Sequence, residues 1–254
     1  MSCDEEIFTP SQFAEYIAQR RGLKKEDLKI PARLIVVYSR RDLRYLQRLT
    51  SGKFVDWWYS RQRPLYVGRY KSKPIGIICS WIGASAASMI LEEIIAFGAK
   101  EIIEVGIAGG IQPFLKIGDI FIATGAKRDE GTSHHYFPPK VELKCDSELC
   151  QRIETHFNEQ GQRFYKGVVW TTDGVYRETK KKFRKFQTEG VLGVNMETSA
   201  LLAIAKYREV KLSSIQIISD ILSESGWLLG PNTKDVRNSR RKALRTALEV
   251  LSKP

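Results

Sequence analysis

The sequence predicts an α/β protein in which helices are layered on a largely parallel sheet. Short, β-branched apolar runs typical of buried strands alternate along the chain with segments of helical periodicity. The chain has 254 residues, of which 43% are hydrophobic, and this is enough for one sizeable core. No repeat or low-complexity linker divides the chain. We therefore expect an N-terminal helical arm over residues 1–30 and a single domain over residues 31–254.

The strands are predicted where apolar runs are bounded by turn residues. In order, they are residues 33–38, a hairpin strand from residue 65, and residues 74–81, 102–107, 117–123, 165–170, 191–196 and 212–219. Between the fourth and fifth strands, Gly109 and Gly110 permit a positive φ and a close backbone approach. We expect a turn there, and its amides either face a ligand or simply close a tight turn in a buried sheet.

The helices are predicted from apolar periodicity and from capping residues. Their expected positions are residues 10–17, a helix ending at residue 49, and residues 85–97, 145–161, 180–189, 197–208 and 235–251. Thr9 precedes Pro10 as a helix cap, and Gly98 is the expected C-cap of the third helix. Residues 226–231, which contain two glycines and a proline, are expected to form a loop.

Charge and targeting patterns exclude several classes of protein. The formal net charge is +12, but the basic residues are spread along the chain and no aromatic-rich basic motif of a nucleic-acid module accompanies them. We therefore expect solvated helix faces and no nucleic-acid partner. The chain lacks a signal-peptide pattern and an apolar run of membrane-spanning length, so we expect a cytoplasmic protein without a membrane contact.

The four cysteines do not form a metal-binding pattern. No CxxC spacing indicates zinc, and reduced thiols are the default in the cytoplasm. Cys145 and Cys150 can approach each other if a helix begins between them, but their spacing does not decide whether they pair.

Residues 101–135 resemble the signature of the nucleoside phosphorylase family. This family includes uridine phosphorylase, the hexameric purine nucleoside phosphorylases and the adenosylhomocysteine/methylthioadenosine nucleosidases. The shared pattern is a strand, Gly-x-Ala/Thr-Gly-Gly/Ala, Gly-Asp, a second strand and a loop like Arg-Asp-Glu-Gly-Thr-Ser. Further matches at residues 193–200 and 217–220 follow in family order. The resemblance is closest to the uridine phosphorylase-like branch, and it implies a three-layer α/β/α phosphorylase-type fold with a central mixed sheet.

The resemblance also implies a reaction, the cleavage of the N-glycosidic bond of a nucleoside. Glu197 matches the family glutamate that accepts hydrogen bonds from the ribose hydroxyls, and Met196 matches the methionine that packs on the sugar. Gly109 belongs to the glycine signature that borders the substrate. As a first-turn residue, Glu197 has the alternative role of stabilising a helix dipole.

The resemblance also indicates which nucleobase the substrate carries. Asp220 matches the family aspartate that hydrogen-bonds or protonates N7 of a purine, and Ser219 would orient it. Uridine phosphorylases generally lack this aspartate, so a purine nucleoside is favoured. In the family, the loop after residue 170 covers the base, and Tyr176 or Trp170 is the expected stacking residue. The alternatives are core packing for Trp170 and a helix N-cap for Asp220.

The expected phosphate site departs from the family pattern. Glu104 and Ile107 stand where the phosphorylases have an arginine and a hydroxyl residue, and the Gly-Asp-Pro-x-Arg loop is missing. Arg40, Arg44 and Arg61 are the tentative replacements, because a guanidinium group can donate two parallel hydrogen bonds to the oxygens of a phosphate. Solvated arginines at a helix start and on a turn are the alternative.

These departures leave three possible functions. The first is a nucleoside phosphorylase that uses phosphate as co-substrate, which we favour. The second is a nucleosidase in which water replaces phosphate and Glu104 acts as the base, and the third is a nucleoside-binding protein without turnover. No metal and no organic cofactor are expected. The resemblance implies a homo-oligomer, either a dimer or a hexamer built as a trimer of dimers, because the family completes each site with residues of a neighbouring subunit.

Overall fold

The computed structural model describes residues 6–230 and 232–253. Its strands are β1 (Arg33–Val37), β2 (Lys53–Phe54), β3 (Leu65–Tyr70), β4 (Lys73–Cys79), β5 (Glu101–Gly110), β6 (Ile120–Asp129), β7 (Leu143–Lys144), β8 (Tyr165–Thr172), β9 (Gly193–Asn195), β10 (Lys211–Ser223) and β11 (Gly226–Leu229). Its α-helices are α1 (Pro10–Arg21), α2 (Arg40–Thr50), α3 (Ala84–Ala96), α4 (Ser147–Glu159), α5 (Lys180–Thr188), α6 (Thr198–Tyr207) and α7 (Lys234–Ser252).

All the strands belong to one mixed sheet. Its order is β11-β10-β6-β8-β9-β5-β1-β4-β3-β2, with β7 paired to β6. The pairs β1–β4, β1–β5, β5–β10, β6–β8 and β8–β9 are parallel. Because β10 also pairs with β5, the five strands β5, β10, β6, β8 and β9 form a closed ring. The predicted central mixed sheet is confirmed.

The helices form two packed groups on the sheet. In one group α3 contacts α1 and α6, and α6 packs on β6, β8 and β10. In the other group α7 contacts α2 and α4 and packs on β1, β4, β5 and β10. This arrangement confirms the layered α/β/α prediction. Within the described residues, the helices are too short or too polar to cross a membrane.

The N-terminal arm is a packing element. Its helix α1 begins at the predicted cap, where Thr9 and Gln12 form a reciprocal capping box. Phe13 packs edge-on against Tyr59 with ring centroids 5.4 Å apart, and α1 contacts α3. Residues 1–5 of the predicted arm, including Cys3, lie outside the described residues. Residues 6–30 do not line the cavity described below.

Two loop predictions are wrong. Residues 108–110 do not turn, since β5 continues through Gly110, and neither Gly109 nor Gly110 has a positive φ. Residues 226–229 form strand β11, which pairs antiparallel with β10 from Asp220 to Ser223. Pro231, at the end of that predicted loop, lies outside the described residues. Gly109 and Gly110 lie within an extended strand, whereas Gly226 begins β11 with a φ of +148°, which favours glycine.

The cysteines in the described part of the chain are unpaired. Cys79, Cys145 and Cys150 are all buried and free. Cys150 contacts the hydroxyl of Ser213 at 3.2 Å and the carbonyl of Ala123 at 3.6 Å. Cys145 and Cys150 therefore act as small core residues here.

Candidate active site

A cavity of about 930 Å³ lies beside the ends of β1 and β9 and the carboxyl-terminal parts of β5 and β10. Two further segments complete its wall. One is the 3-10 turn Val175–Arg177 with the start of α5, and the other is the hairpin made by β10 and β11. The end of parallel strands is where open α/β sheets commonly bind ligands. The cavity therefore lies where the fold places a ligand site.

Glu197 is fixed at one end of this cavity. It follows β9 and precedes α6, but its side chain makes no capping bond to that helix. Instead, Oε1 accepts a hydrogen bond from the backbone N–H of Gly83 at 2.8 Å, and Oε2 accepts one from Met196 at 3.2 Å. Burial raises the pKa of Glu197 to about 7, aided by the charge of Glu104 and opposed by the two backbone donors. Met196 lines the cavity beside it.

Asp220 lies on another wall of the same cavity. It belongs to β10, so it does not cap a helix. Its Oδ1 accepts a hydrogen bond from the hydroxyl of Ser219, and its Oδ2 accepts one from the indole Nε1–H of Trp227 at 2.7 Å. Trp227 reaches Asp220 because β11 folds back along β10. Both oxygens of Asp220 are thus held by donors of the same hairpin.

Gly109 makes room for this carboxylate. Strand β5 pairs Gly109 with Asp220 on one side and with Val194 on the other. A Cβ at Gly109 would lie 2.4 Å from Leu222 Cδ1 and 3.1 Å from Asp220 Oδ2. A side chain there would push the Leu222 side chain aside and crowd the Asp220 carboxylate. The signature glycine is therefore required for close approach and not for a turn.

Glu104 is buried beneath the cavity. Its side chain is 0% exposed, with Oε1 accepting a hydrogen bond from Tyr38 and Oε2 one from Thr198, each at 2.7 Å. Burial raises the pKa of Glu104, although these hydrogen bonds oppose the effect. Tyr38 lines the cavity and Glu104 does not. The expectation that Glu104 is the base for a water nucleophile remains a prediction, for a carboxyl group that is buried and does not line the cavity.

The comparisons with known proteins identify the family of this chain. Residues 35–253 match the family model described as the phosphorylase superfamily. The chain belongs to the phosphorylase superfamily. The DeoD-type purine nucleoside phosphorylase of Buchnera aphidicola subsp. Acyrthosiphon pisum is 27% identical over 208 residues, covering 81% of this chain and 88% of that relative. The uridine phosphorylase of Thermococcus kodakarensis is 34% identical over 118 residues, covering 46% and 43% of the two chains.

Solved structures of the phosphorylase superfamily have the same fold. Uridine phosphorylase from Vibrio fischeri superposes with a TM-score of 0.80 at 27% identity, covering 90% of this chain and 95% of that one. Purine nucleoside phosphorylase from Toxoplasma gondii, in complex with immucillin-H, also superposes with a TM-score of 0.80, at 20% identity, covering 88% of this chain and 91% of that one. The second likeness concerns the fold alone. The predicted membership of the nucleoside phosphorylase family is confirmed.

The three arginines predicted to hold phosphate lie outside the cavity of this superfamily member. Arg40, Arg44 and Arg61 are exposed, and none lines the cavity. Arg40 donates to the carbonyl of Gln62 at 3.2 Å, and the guanidinium of Arg61 lies 4.7 Å from the ring centre of Phe54. Within one chain these side chains are exposed on α2 and on the loop after β2, and a phosphate site that includes them remains a prediction.

The cations that do line the cavity are Lys180 and Arg240. Arg240 comes from α7 and is ion-paired to the buried Asp42. The cavity also carries an excess of carboxyl groups, which are Asp42, Glu178, Glu197, Asp220 and Glu224. Ile107, at the family's hydroxyl position, also lines the cavity. No cluster of three or more possible metal ligands occurs in the described part of the chain.

The two predicted stacking residues have different positions. Tyr176 is 96% exposed and lines the cavity. Trp170 is 0% exposed, packs on Phe186 with centroids 4.7 Å apart, and donates to Asp129 at 3.0 Å. The prediction that Trp170 stacks on the base is wrong, because its position on β8 points it into the core under α5. Its alternative role in core packing holds.

Sequence reasoning missed Tyr38, Glu178, Trp227 and Arg240 as residues of the cavity wall. None belongs to the quoted family motifs, and each is brought there by chain pairing over long distances. For Trp227 a usable signal existed, since Trp227-Leu228-Leu229 is an apolar run that fits a short strand. For Arg240 the helical prediction gave no partner, because Asp42 is distant in sequence.

Proposed function

We propose that this protein cleaves the N-glycosidic bond of a purine nucleoside by phosphorolysis, releasing the free base and ribose 1-phosphate. The observation that carries the proposal is the meeting of Glu197 and Asp220 in one cavity. The first carboxyl is fixed by backbone amides and the second by Ser219 and Trp227. Two carboxyls held apart in this way suit a substrate with hydroxyls at one end and a nitrogen heterocycle at the other.

The chemistry follows from the charge that develops as the bond breaks. Positive charge builds on the ribose and negative charge on the leaving base, so the site must stabilise both. Glu197 as a carboxylate accepts hydrogen bonds from the ribose hydroxyls and lies close to the developing positive charge. Asp220 faces the base, and Tyr176 offers a ring that can stack on it.

Glu197 makes the reaction sensitive to pH on the acid side. Burial raises the pKa of Glu197 to about 7, and the protonated acid loses an acceptor for the sugar. Turnover at low substrate concentration should therefore rise with pH through this range. Bound ribose hydroxyls favour the carboxylate, so the rise should come at lower pH when the enzyme is saturated with nucleoside.

Phosphate as the nucleophile is supported by family membership and by Lys180, Arg240 and Ser39 in the cavity wall. Two observations favour hydrolysis as a second candidate. Carboxyl groups outnumber cations in the wall, and Glu104 and Ile107 replace the family's phosphate-binding residues. A homo-oligomer is also part of the proposal, since neighbouring subunits of this family complete each other's sites and would supply further cations. No organic cofactor takes part in the proposed reaction.

The deciding experiment measures base release from inosine, adenosine, guanosine, methylthioadenosine and uridine, with and without inorganic phosphate. We expect release from purine nucleosides only, with ribose 1-phosphate as the phosphate-dependent product. Release of free ribose at the same rate without phosphate would replace phosphorolysis with hydrolysis. If no base is released from any of these nucleosides but a nucleoside raises the melting temperature, the protein binds nucleosides without cleaving them.

A further inference from the structure

Glu178 is a second carboxyl group at the base end of the cavity. It lies directly after the turn Val175–Arg177 and before α5, and it lines the same cavity as Asp220. The residue is half-buried. Its carboxyl group makes no hydrogen bond or ion pair to any other part of residues 6–230 and 232–253. A carboxyl group that is partly withdrawn from water without a donor is best kept in its neutral form.

Asp220, by contrast, is held as an acceptor. The Ser219 hydroxyl donates to Oδ1 and the Trp227 indole donates to Oδ2 at 2.7 Å. An indole N–H can only donate, so Oδ2 has an acceptor role for as long as this bond exists. Both oxygens of Asp220 are thus engaged by side chains of its own hairpin, whereas the Glu178 carboxyl group is not.

We propose that Glu178, and not Asp220, is the general acid that protonates the leaving base, while Asp220 orients the base by accepting a hydrogen bond. This inference rests on the proposed nucleoside cleavage. It assigns separate roles to two neighbouring carboxyl groups whose surroundings differ, one with two donors and one with none.

The electrostatics support this division. Burial, and then the charge of Asp220, raise the pKa of Glu178 to about 7, so a large fraction carries a proton near neutral pH. The other charged side chains on the cavity wall are Lys180 on α5, Glu224 on the β10–β11 hairpin, Glu197 before α6, and the pair of Asp42 on α2 with Arg240 on α7. An acid with a pKa near the working pH is the most effective proton donor.

The step balances as follows. The bond between C1′ and the base nitrogen breaks, and its electron pair leaves with the base. The proton of Glu178 moves to a ring nitrogen of that base, while a phosphate oxygen forms the new bond to C1′. Glu178 then takes a proton from solvent, and the sugar phosphate releases one proton as it ionises. If water is the nucleophile, the attacking water forms the bond to C1′ and releases one proton, and no proton is released from a sugar phosphate.

The test compares two substrates in Glu178→Gln. Inosine needs a proton on its base, whereas the base of 7-methylguanosine already carries positive charge and leaves without one. We expect kcat for inosine to fall by roughly 10²–10⁴-fold and kcat for 7-methylguanosine to fall by less than about 10-fold. Glu178→Asp should recover part of the inosine activity. Glu189→Gln, a carboxyl change at the end of α5 outside the cavity, is the control and should leave both rates unchanged.

The pH profile supplies an independent readout. In the wild-type protein kcat for inosine should fall as pH rises through about 7, since Glu178 loses its proton, and this fall should vanish in Glu178→Gln. In Asp220→Asn the neighbouring charge is gone, which lowers the pKa of Glu178. The fall should then begin at lower pH.

Equal losses on the two substrates, or an unchanged alkaline fall in Glu178→Gln, would overturn the assignment. So would an Asp220→Asn profile that does not move. If the wild type is active and Glu178→Gln cleaves inosine at the wild-type rate, only this inference is overturned. A wild-type protein that releases no base from any nucleoside would overturn the proposed function as well. Melting temperatures of each variant establish that the losses do not come from unfolding.

Discussion

The two ends of the cavity are built in different ways. At the end proposed to bind the sugar, Glu197 is 6% exposed and is held by backbone amides of two separate segments, with the buried Tyr38–Glu104–Thr198 network next to it. At the base end the wall consists of the β10–β11 hairpin and the segment before α5. Trp227 there is 62% exposed and Tyr176 is 96% exposed.

In the proposed reaction, this difference corresponds to what each end must recognise. The ribose is common to all nucleosides, so its site can be built into the core, where packing fixes each atom. Bases differ between nucleosides, and their site lies on exposed segments that change with little effect on the core. One ion pair between Arg184 of α5 and Glu224 of the hairpin joins the two exposed segments. The sugar end should therefore tolerate substitution less well than the base end.

The largest effect is expected for Glu197→Gln. The amide retains the size of the side chain but loses the negative charge and one acceptor oxygen, so the developing positive charge on ribose loses its partner. We expect kcat/KM to fall by roughly 10²–10³-fold for every nucleoside that is cleaved. Steady-state kinetics on two purine nucleosides check this. Glu142→Gln, at an exposed carboxyl that does not line the cavity, should be unchanged, and a loss confined to one base would contradict the assignment to the sugar end.

A smaller and base-dependent effect is expected for Trp227→Phe. Phenylalanine retains an aromatic wall but cannot donate to Asp220, and one hydrogen bond to a charged group contributes about 1.5–3 kcal/mol. Because solvent can replace part of this bond at an exposed residue, we expect KM for purine nucleosides to rise by about 10-fold. Leu228→Ala, at the next and equally exposed position of β11, is the matched control. A loss that is identical for all bases would show that Trp227 supports only the hairpin.

The smallest effect on turnover is expected for Glu104→Gln, where the change appears in stability. Burial raises the pKa of Glu104, so the folded protein keeps this carboxyl neutral at pH values where the unfolded chain has ionised. Its contribution to stability is therefore complete in acid and is lost as pH rises. Glutamine has no ionisation and can retain hydrogen bonds to Tyr38 and Thr198.

The measurement for Glu104→Gln is the melting temperature at pH 4.5 and at pH 8. The variant should match the wild type in acid and exceed it at pH 8, by about 2–4 °C for each kcal/mol gained. A difference that is the same at both pH values would show that Glu104 does not titrate between them. A large loss of turnover would instead show that the Tyr38–Glu104 bond takes part in the reaction.

The comparison of the two ends also explains how much could be predicted from sequence. The core strands and most helix positions follow from local patterns, because each apolar run is buried wherever it lies in the sheet. Glu197 and Asp220 could be located from short motifs. The turn predicted at residues 108–110 was wrong because a glycine that permits a turn and a glycine that permits close approach look the same in sequence. Gly109 shows this, and its reason is the position of Leu222.

The base end was the least predictable part. Trp227 meets Asp220 only because β11 folds back, and Glu178 shares the cavity only because the end of the turn Val175–Arg177 lies beside β10. The indole ring of Trp170 is suited to stacking on a base. However, the register of β8 decides which face of the sheet the ring lies on, and the sequence does not give this register. The spacing of the arginines at the start of α2 does not show whether they bind an anion or lie in solvent. Only their position in the folded protein distinguishes the two roles.

The closed ring of strands has a consequence for how the protein is made. Strand β5 is completed by β10, which joins segments about 110 residues apart, and contacts of such long range slow folding. During synthesis one edge of β5 stays unpaired until β10 has left the ribosome. Unpaired apolar edges promote aggregation. Truncated chains that end before β10 should therefore be insoluble, and the folding rate should depend most on substitutions at the β5–β10 seam.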